Sequence, residues 1–537
     1  MRNKKLHIWL PLVLSVCMVA GMFIGYRIKG NMPNTGIFFI NRQRPVQEVL
    51  DLISSKYVDK ENPDSLGDAA IQAILVKLDP HSVFLPPREL KEVNEDLEGK
   101  FYGIGIEFNI FNDTINVINV LTNGPSDKAG LMVGDKFLKA GDSIITGKDI
   151  SAEKIKNLLR GTGGSKVDIT ILRSGAKKVI TISRGFIPLY SLDAEYMIAD
   201  TVGYIRLNKF SETTYKEFMQ AMENLQKKGM KSLILDLRDN GGGILTQATD
   251  IADEFLSEDK LITYTEGYHS PRKEYRCSKE GVFETGKLVV LANEGTASAS
   301  EVLIGALQDW DRATIMGRRS FGKGLVQEQY QLNDGSGLRL TVARYYTPLG
   351  RSIQKSYKNG IDEYNNDLLN RFNNGEMSYA DSIKHSNEKE YVTKSGKVVY
   401  GGGGITPNIF VPYDTLAIDK QITLALVRGT FNNFIYRNYL EHRQMFNTYN
   451  SPKAFEQNYM VDDVTLQNLR DYASKDSVKF DLSDNKEKAL LKKQIKVMTA
   501  RQIWRTQGLY EVGNPDDHTV QRALDFIKND SLVQTDK

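Results

Sequence analysis

Cysteine is nearly absent from this sequence: there are two in 537 residues, Cys17 and Cys277. Cys17 lies in the hydrophobic N-terminal segment. One thiol is left for the rest of the chain, which excludes an intrachain disulfide framework and a cysteine-based metal site. Histidine is scarce too. The six histidines (His7, His81, His269, His385, His442 and His518) are scattered without a ligand-like pair, so no metal and no other cofactor is expected. Nor does either sign of charge dominate: 70 Lys and Arg against 67 Asp and Glu point neither to nucleic acid nor to an acidic substrate. The length exceeds what one core supports and implies roughly three or four domains.

Long apolar runs are also missing, with one exception. Ile8 to Gly25 (8 through 25, 18 residues) is mostly apolar, with Arg2, Lys4 and Lys5 before it and Arg27 and Lys29 behind it. That length just reaches a membrane-spanning helix, and the flanking charge favours a cytoplasmic N-terminus with the remainder exported. The expectation for residues 1–30 is an uncleaved membrane anchor. The rival is a signal sequence cleaved near the small residues Val19 and Gly21.

The rest divides by its periodicity. Residues 31–45 have the Gly, Asn and Pro of a linker, and from Val46 to Val93 apolar residues recur at helical steps, broken at Asp79-Pro-His-Ser82 and Pro86-Pro87, giving a linker and N-terminal helical region over 31–100. Strand patterns take over from 101 to 183: Tyr102-Gly-Ile-Gly-Ile106, an alternating run from Thr114 to Val120, Gly124-Pro-Ser-Asp-Lys-Ala-Gly130, a helix near Ala152 to Leu159 and a strand from Val167 to Leu172. From 184 to 415 strands and helices alternate, as in an α/β layer with parallel strands. Within it, Asn359 to Lys397 is polar and charged and reads as an insertion or long loop. From 416 to 537 the pattern is helical, with apolar stripes such as Phe431, Phe434, Ile435 and Tyr439 that suit a core or an oligomer contact.

Two stretches of the α/β region carry chemistry. Strand Ser232 to Leu237 runs into Arg238-Asp-Asn-Gly-Gly-Gly243 and then a helix, so glycines expose backbone amides as an anion or oxyanion site. The turn lacks the Gly-Lys-Ser/Thr ending of a phosphate loop. Further on, the apolar run Lys287 to Ala292 enters a loop ending at Ser298, and helical spacing starts at Ala299. Ser298 reads either as a helix N-cap or as a nucleophile beside a helix N-terminus. Lys323 lies between Gly322 and Gly324, with Gln327 just beyond, and no histidine occurs between Ala292 and Gly350. A lysine serves as general base only when neutral, which requires burial and no carboxylate partner. Phe321, Leu325 and Val326 supply apolar surroundings, and Gln327 orients an amine without adding charge. Alone, a lysine between glycines is as easily a turn residue.

The ordered set over 101–183 resembles a bacterial-type PDZ domain. In such a domain the peptide-binding stretch is Tyr102, Gly103, Ile104, Gly105 and Ile106: the backbone amides of Gly103 to Gly105 receive a peptide's terminal carboxylate while the peptide adds a strand to the sheet edge. Together with Thr296-Ala-Ser-Ala-Ser-Glu301, Phe321-Gly-Lys-Gly324 and Gln327, Leu237 to Gly243, Tyr346 to Arg351 and Gly402 to Pro407, the chain from about Val46 to Pro412 resembles the carboxyl-terminal processing peptidases, or tail-specific proteases. That resemblance implies an α/β multidomain protein: a crotonase-like peptidase core, the PDZ domain, an N-terminal helical layer and a C-terminal helical extension. It implies a serine endopeptidase with Ser298 as nucleophile, Lys323 as general base and Gln327 assisting. Ser300 is excluded, because Lys323 follows Ser298 by 25 residues (323 minus 298), the family's separation. Ala299, Gly242 and Gly243 are the candidate oxyanion donors, and Gly241 departs from the family's proline.

The partners implied are proteins or peptides with accessible C-termini, a membrane through the N-terminal segment, and a homo-oligomer or regulatory partner. The setting implied is a bacterial inner membrane with the catalytic part in the periplasm, or release to the periplasm after signal cleavage. The alternative function is a non-catalytic membrane-tethered PDZ adaptor.

Overall fold

The computed structural model describes residues 4–29, 45–111, 113–147, 150–385, 388–414 and 419–535, without side chains at parts of the first and last helices. The linker expected at 31–45 lies outside these residues except for Pro45. The chain forms two units, Met1–Ile74 and Leu75–Lys537.

The first unit is helical. Helix Lys4–Lys29 contains the apolar run, followed by helices Pro45–Lys56 and Pro63–Leu75, the last of which ends at the unit boundary. Side chains described in the first helix, Val13, Val16 and Phe23 among them, are exposed. Among the described residues no helix is long and apolar enough to cross a membrane. The anchor expected from the sequence therefore finds no support here.

In the second unit, the helical pattern is interrupted at 79–82 and at Pro86, where the sequence breaks it. Asp79 Oδ1 accepts the N–H groups of His81 and Ser82 and ends the turn, so Val83–Leu85 emerges as a strand paired with Gly337–Tyr346 before helix Pro87–Glu98 begins. The PDZ domain follows. Its sheet runs Ile106–Phe111, Thr114–Val120, Lys136–Ala140, Lys166–Arg173, Ala176–Ser183, with Ile106–Phe111 at one edge. Helix Ala152–Leu159 starts where Ser151 accepts the Lys154 N–H, and its Ile155 and Leu159 enter the domain core.

The core of the second unit is a sheet ordered Leu192–Ala199, Val202–Leu207, Ser232–Asp236, Lys287–Ala292, Thr314–Gly317, Ile409–Phe410, parallel except for its first pair. Strand residues alternate between faces. Leu233, Leu235 and Val290 meet helices Thr214–Lys227, Leu245–Asp253 and Ala299–Asp309. Ile234, Val289 and Leu291 meet Val520, Ala523 and Leu524 of the C-terminal helix His518–Thr535. Covering both faces explains why these strands are near-continuous apolar runs.

A second, antiparallel sheet carries Leu325–Gln331 beside Gly337–Tyr346. The segment from Asn359 to Lys397, expected as an insertion or long loop, carries regular structure among its described residues, with helices Ile361–Asn365 and Asp367–Asn373 and a strand Lys389–Val392 that pairs with Val398–Gly401. Its polar composition misled because charge, not an apolar face, fixes it: buried Arg371 donates to the carbonyls of Ser320 and Gly403, and Arg319 pairs with Glu376 at 2.7 Å. The C-terminal stripes pack as a core of their own around Phe431, Phe446, Phe455, Leu491 and Ile495.

Candidate active site

The parallel strands deliver two turns to one end of the sheet. Strand Ser232–Asp236 leads into the glycine turn, and the neighbouring strand Lys287–Ala292 leads into the serine loop. Asn240 stitches the two together. Its Nδ2 donates to Leu207 O at 3.0 Å, its Oδ1 accepts the Gly242 N–H at 2.9 Å, and its carbonyl accepts the Ala297 N–H and the Ser300 hydroxyl at 3.0 Å each. Ser300 is buried and held by that bond.

Ser298 stands at the sharp turn between strand and helix, at φ 57° and ψ −118°. A β-carbon seldom adopts that region, and holding it there costs about 1–3 kcal/mol, which the surrounding bonds must offset. Gly242 presses against it: a Cβ there would stand 2.8 Å from Ser298 Cβ and 2.8 Å from Ala299 N. Glycine is required for that close approach. Gly241, in contrast, has open space where a side chain would be, so the turn does not depend on which residue stands there.

Glu301 joins the serine to the lysine. It is fully buried, and Oε2 accepts the N–H of Ser298 at 2.9 Å and of Lys323 at 2.8 Å, while Oε1 accepts the Gly322 N–H at 2.8 Å and the Ser320 hydroxyl at 2.5 Å. Burial without a cation in contact pushes its pKa up to about 7 against the pull of these donors. Tyr345 adds a second tie, its hydroxyl donating to Ser298 O at 3.1 Å and lying against Lys323 O. The lysine loop is backed by 402–405: the Ser320 N–H donates to Ile405 O, and Ser320 Oγ accepts the Ile405 N–H at 2.6 Å.

Ser298, Lys323, Gln327, Ala299, Gly242 and Gly243 all line one cleft of about 560 Å³, with Arg339 and Tyr345 in its wall. The Lys323 amine sits below its ordinary pKa, chiefly through burial and then through the Arg339 charge, while Glu301 and Asp79 pull the other way. No hydrogen bond joins Lys323 Nζ to Ser298 Oγ or to Gln327 among the described residues. Gln327 follows a bulge in its strand at Val326, a device that re-aims a side chain, and its Nε2 is buried without a partner. The amides differ in availability. The Gly242 N–H is committed to Asn240 Oδ1, whereas those of Ala299 and Gly243 take no acceptor among the described residues.

Sequence reasoning passed over Glu301, Tyr345, Arg339 and His81. The signal for Glu301 was present: Ser-x-x-Glu ahead of an apolar helix is capping-box spacing. His81 lies in the electrostatic field of Lys323, but its Nε2 is 2.6 Å from Tyr364 OH, and burial, followed by the Lys323 charge, lowers its pKa to about 4.

The sequence model of peptidase family S41 matches residues 201–363, that of the PDZ domain matches 103–183, and a family of unknown function matches 423–505. The "Carboxy-terminal-processing protease" of Bartonella bacilliformis is 34% identical over 316 residues, covering 57% of this chain and 71% of that protein. The chain belongs to the carboxy-terminal-processing proteases of peptidase family S41. A "Probable CtpA-like serine protease" of Staphylococcus haemolyticus is 33% identical to this protease over 360 residues, 66% of this chain and 72% of that one. Among solved structures, the photosystem II D1 C-terminal processing protease is 26% identical over 70% of this chain and 89% of that chain, at a TM-score of 0.34, too low a global similarity to add to the assignment.

The protease's PDZ residues stand apart from the cleft. Tyr102 and Gly103 end strand Lys100–Gly103, Ile104 and Gly105 form the turn, and Ile106 opens the edge strand. The carbonyls of Ile104 and Gly105 accept from Ser126 and Leu121, while their own N–H groups find no acceptor among the described residues. Gly105 is at φ 75°, where a side chain is strained.

Proposed function

We propose that this S41 protease is a serine endopeptidase that captures substrate C-terminal tails on its PDZ domain and cleaves with a Ser298–Lys323 dyad. The observation that carries the reading is the shared cleft, in which a strained serine at a helix start accompanies a lysine whose amine is pushed toward neutrality. Neutral Lys323 takes the Ser298 Oγ proton as Oγ bonds to the substrate carbonyl carbon. The oxyanion forms against the N–H groups of Ala299 and Gly243. The lysine ammonium then gives its proton to the departing amine, leaving an acyl-serine. A water, deprotonated by Lys323, hydrolyses the ester and restores the hydroxyl. Contacts of this kind often tighten only once substrate is bound. Gln327 orients the lysine amine without the charge that would raise its pKa. Glu301 and Tyr345 are positioning residues that hold the serine and lysine backbones in register.

The tail carboxylate is taken by the free amides of the Ile104–Gly105 turn, with the peptide pairing along Ile106–Phe111. The protease should degrade an unstructured protein with an apolar C-terminus, and amidating that C-terminus should slow cleavage severalfold. Equal rates for the free and amidated forms would remove tail recognition from the account. Placement at a bacterial inner membrane, with the catalytic part in the periplasm, rests on the charge pattern of the first thirty residues. Mature protein found in a soluble fraction and lacking residues 1–21 would overturn the anchor in favour of signal cleavage.

A further inference from the structure

A second cavity, of about 360 Å³, lies between the PDZ domain and the C-terminal helical region. Its PDZ wall is the free edge strand, from Ile106 to Asn109, together with Ala152 and Lys156 of helix Ala152–Leu159. The opposite wall comes from helices Thr430–Glu441 and Asn485–Gly513, chiefly Ile435, Met498, Arg501 and Arg505. The two parts are fixed to each other. Gln502 Nε2 donates to Ile118 O at 2.9 Å, the Tyr436 hydroxyl donates to Val117 O at 3.3 Å, and the Tyr436 ring packs on Phe111 at 5.4 Å. The long helix breaks at Trp504 and Arg505, the latter at φ 60° and ψ −143°, and this break carries the Arg505 guanidinium onto Glu107 of the edge strand.

The chemistry of the cavity is uneven. Ile106, Phe108, Ile435 and Met498 make part of its lining apolar, while its charged groups are three cations and one carboxylate. Arg505 and Glu107 satisfy one another. Lys156 and Arg501 remain, both exposed at the rim and neither in an ion pair among the described residues. A tail whose carboxylate sits at Ile104–Gly105 runs back along the edge strand at about 3.4 Å per residue, so its third residue from the end lies about 7 Å on, level with Phe108, and its fourth about 10 Å on, level with Asn109. The C-terminal helices line this whole stretch of the edge strand, from Ile106 to Asn109.

We propose that the C-terminal helical region forms the second wall of the tail groove and selects tails with an acidic side chain third from the end, which Arg501 and Lys156 pair. The proposal rests on the PDZ domain's binding of tails and adds a substrate class and a role for the region 423–505, whose family has no assigned function. The test uses the full chain carrying Ser298→Ala, so that bound tails are not cleaved, and fluorescent peptides with an apolar C-terminus and either Glu or Gln third from the end. Anisotropy titration should give about two- to fivefold tighter binding of the Glu peptide, a ratio that shrinks as salt rises. Adding Arg501→Gln and Lys156→Gln should bring the ratio to near one, and Arg501→Glu should invert it. Binding that needs the free carboxylate but shows no Glu preference, or a preference that survives both glutamine substitutions, overturns this proposal alone. Equal binding of free and amidated peptides removes the tail-binding reading and this proposal with it.

Discussion

Two buried carboxylates, Asp236 at the end of strand Ser232–Asp236 and Glu301 in the first turn of helix Ala299–Asp309, are stabilised in opposite ways. Asp236 is fully buried among cations: Arg206 approaches to 2.9 Å and Arg238 to 2.6 Å, with the Tyr204 hydroxyl donating at 2.7 Å. Burial alone would raise its pKa, but the two arginines outweigh it and hold the group below the usual carboxylate range. Glu301 is as deeply buried and has only neutral donors in contact, so its pKa rises to about 7. The first arrangement is a clamp that stays charged at any ordinary pH. It also ties the C-terminal region to the core, because Arg238 pairs with Asp517 at 2.9 Å. The second is an organiser of backbone amides, and its low charge partnering is what a neighbouring neutral lysine needs. A cation beside Glu301 would settle its charge, and a fully charged Glu301 would pull the Lys323 pKa back up.

That contrast can be broken by substitution. The largest effect should come from the cleft itself: Ser298→Ala and Lys323→Ala should each lower kcat/KM at least about a thousandfold while leaving circular dichroism and the unfolding midpoint nearly unchanged. Next is Asp236→Asn, which leaves two buried guanidinium groups short of a counter-charge. It should cost about 3–5 kcal/mol in a denaturant titration, with activity lost through unfolding rather than chemistry.

Glu301→Gln should behave differently from Asp236→Asn. Glutamine keeps the volume but replaces one acceptor oxygen with a donor, which must then face either the Ser298 and Lys323 amides or the Ser320 and Gly322 donors. The expected result is a fall in kcat of about ten- to a hundredfold with KM little changed. Stability should show the sign of the raised pKa. The contribution of Glu301 is greatest below its unfolded value of 4.5 and is lost as pH rises through about 7, to a total on the order of 3 kcal/mol. Glutamine should flatten that dependence, as followed by melting temperature across pH 5–9. The smallest effect belongs to Arg339→Gln. Its charge lowers the Lys323 pKa, so removing it should raise that pKa and move the acid limb of the kcat/KM profile to higher pH. An unmoved limb would detach Arg339 from the base.

Much of this was legible in sequence because it is local. The apolar runs Ser232–Leu237 and Lys287–Ala292, each followed by a turn and a helical pattern, gave the strand-turn-helix units that carry Gly242, Gly243 and Ser298. What escaped depends on contacts between distant segments. Glu301 looks like an ordinary helix-start acid until the loop at 320–323 folds onto it. Tyr345 sits in a strand whose partners cannot be read from its own pattern. The stretch 359–397 reads as an insertion or long loop, without elements of its own, because Arg371 and Glu376 are charged, and charged residues count as core only once their partners are known. The amide of Gly242 looked as available as that of Gly243 until Asn240 was seen to hold it. The C-terminal stripes suit either a core or an oligomer contact in sequence; they pack as a core, and their placement against the PDZ edge strand is not visible in the pattern.

The most direct test of the dyad is intact-mass spectrometry of the protease during turnover of a slowly deacylating substrate, followed by peptide mapping of the modified chain. The account predicts an acyl adduct on Ser298 that disappears in Ser298→Ala and does not accumulate in Lys323→Ala. An adduct on Ser300 or any other residue, or cleavage that persists in Ser298→Ala, would contradict it.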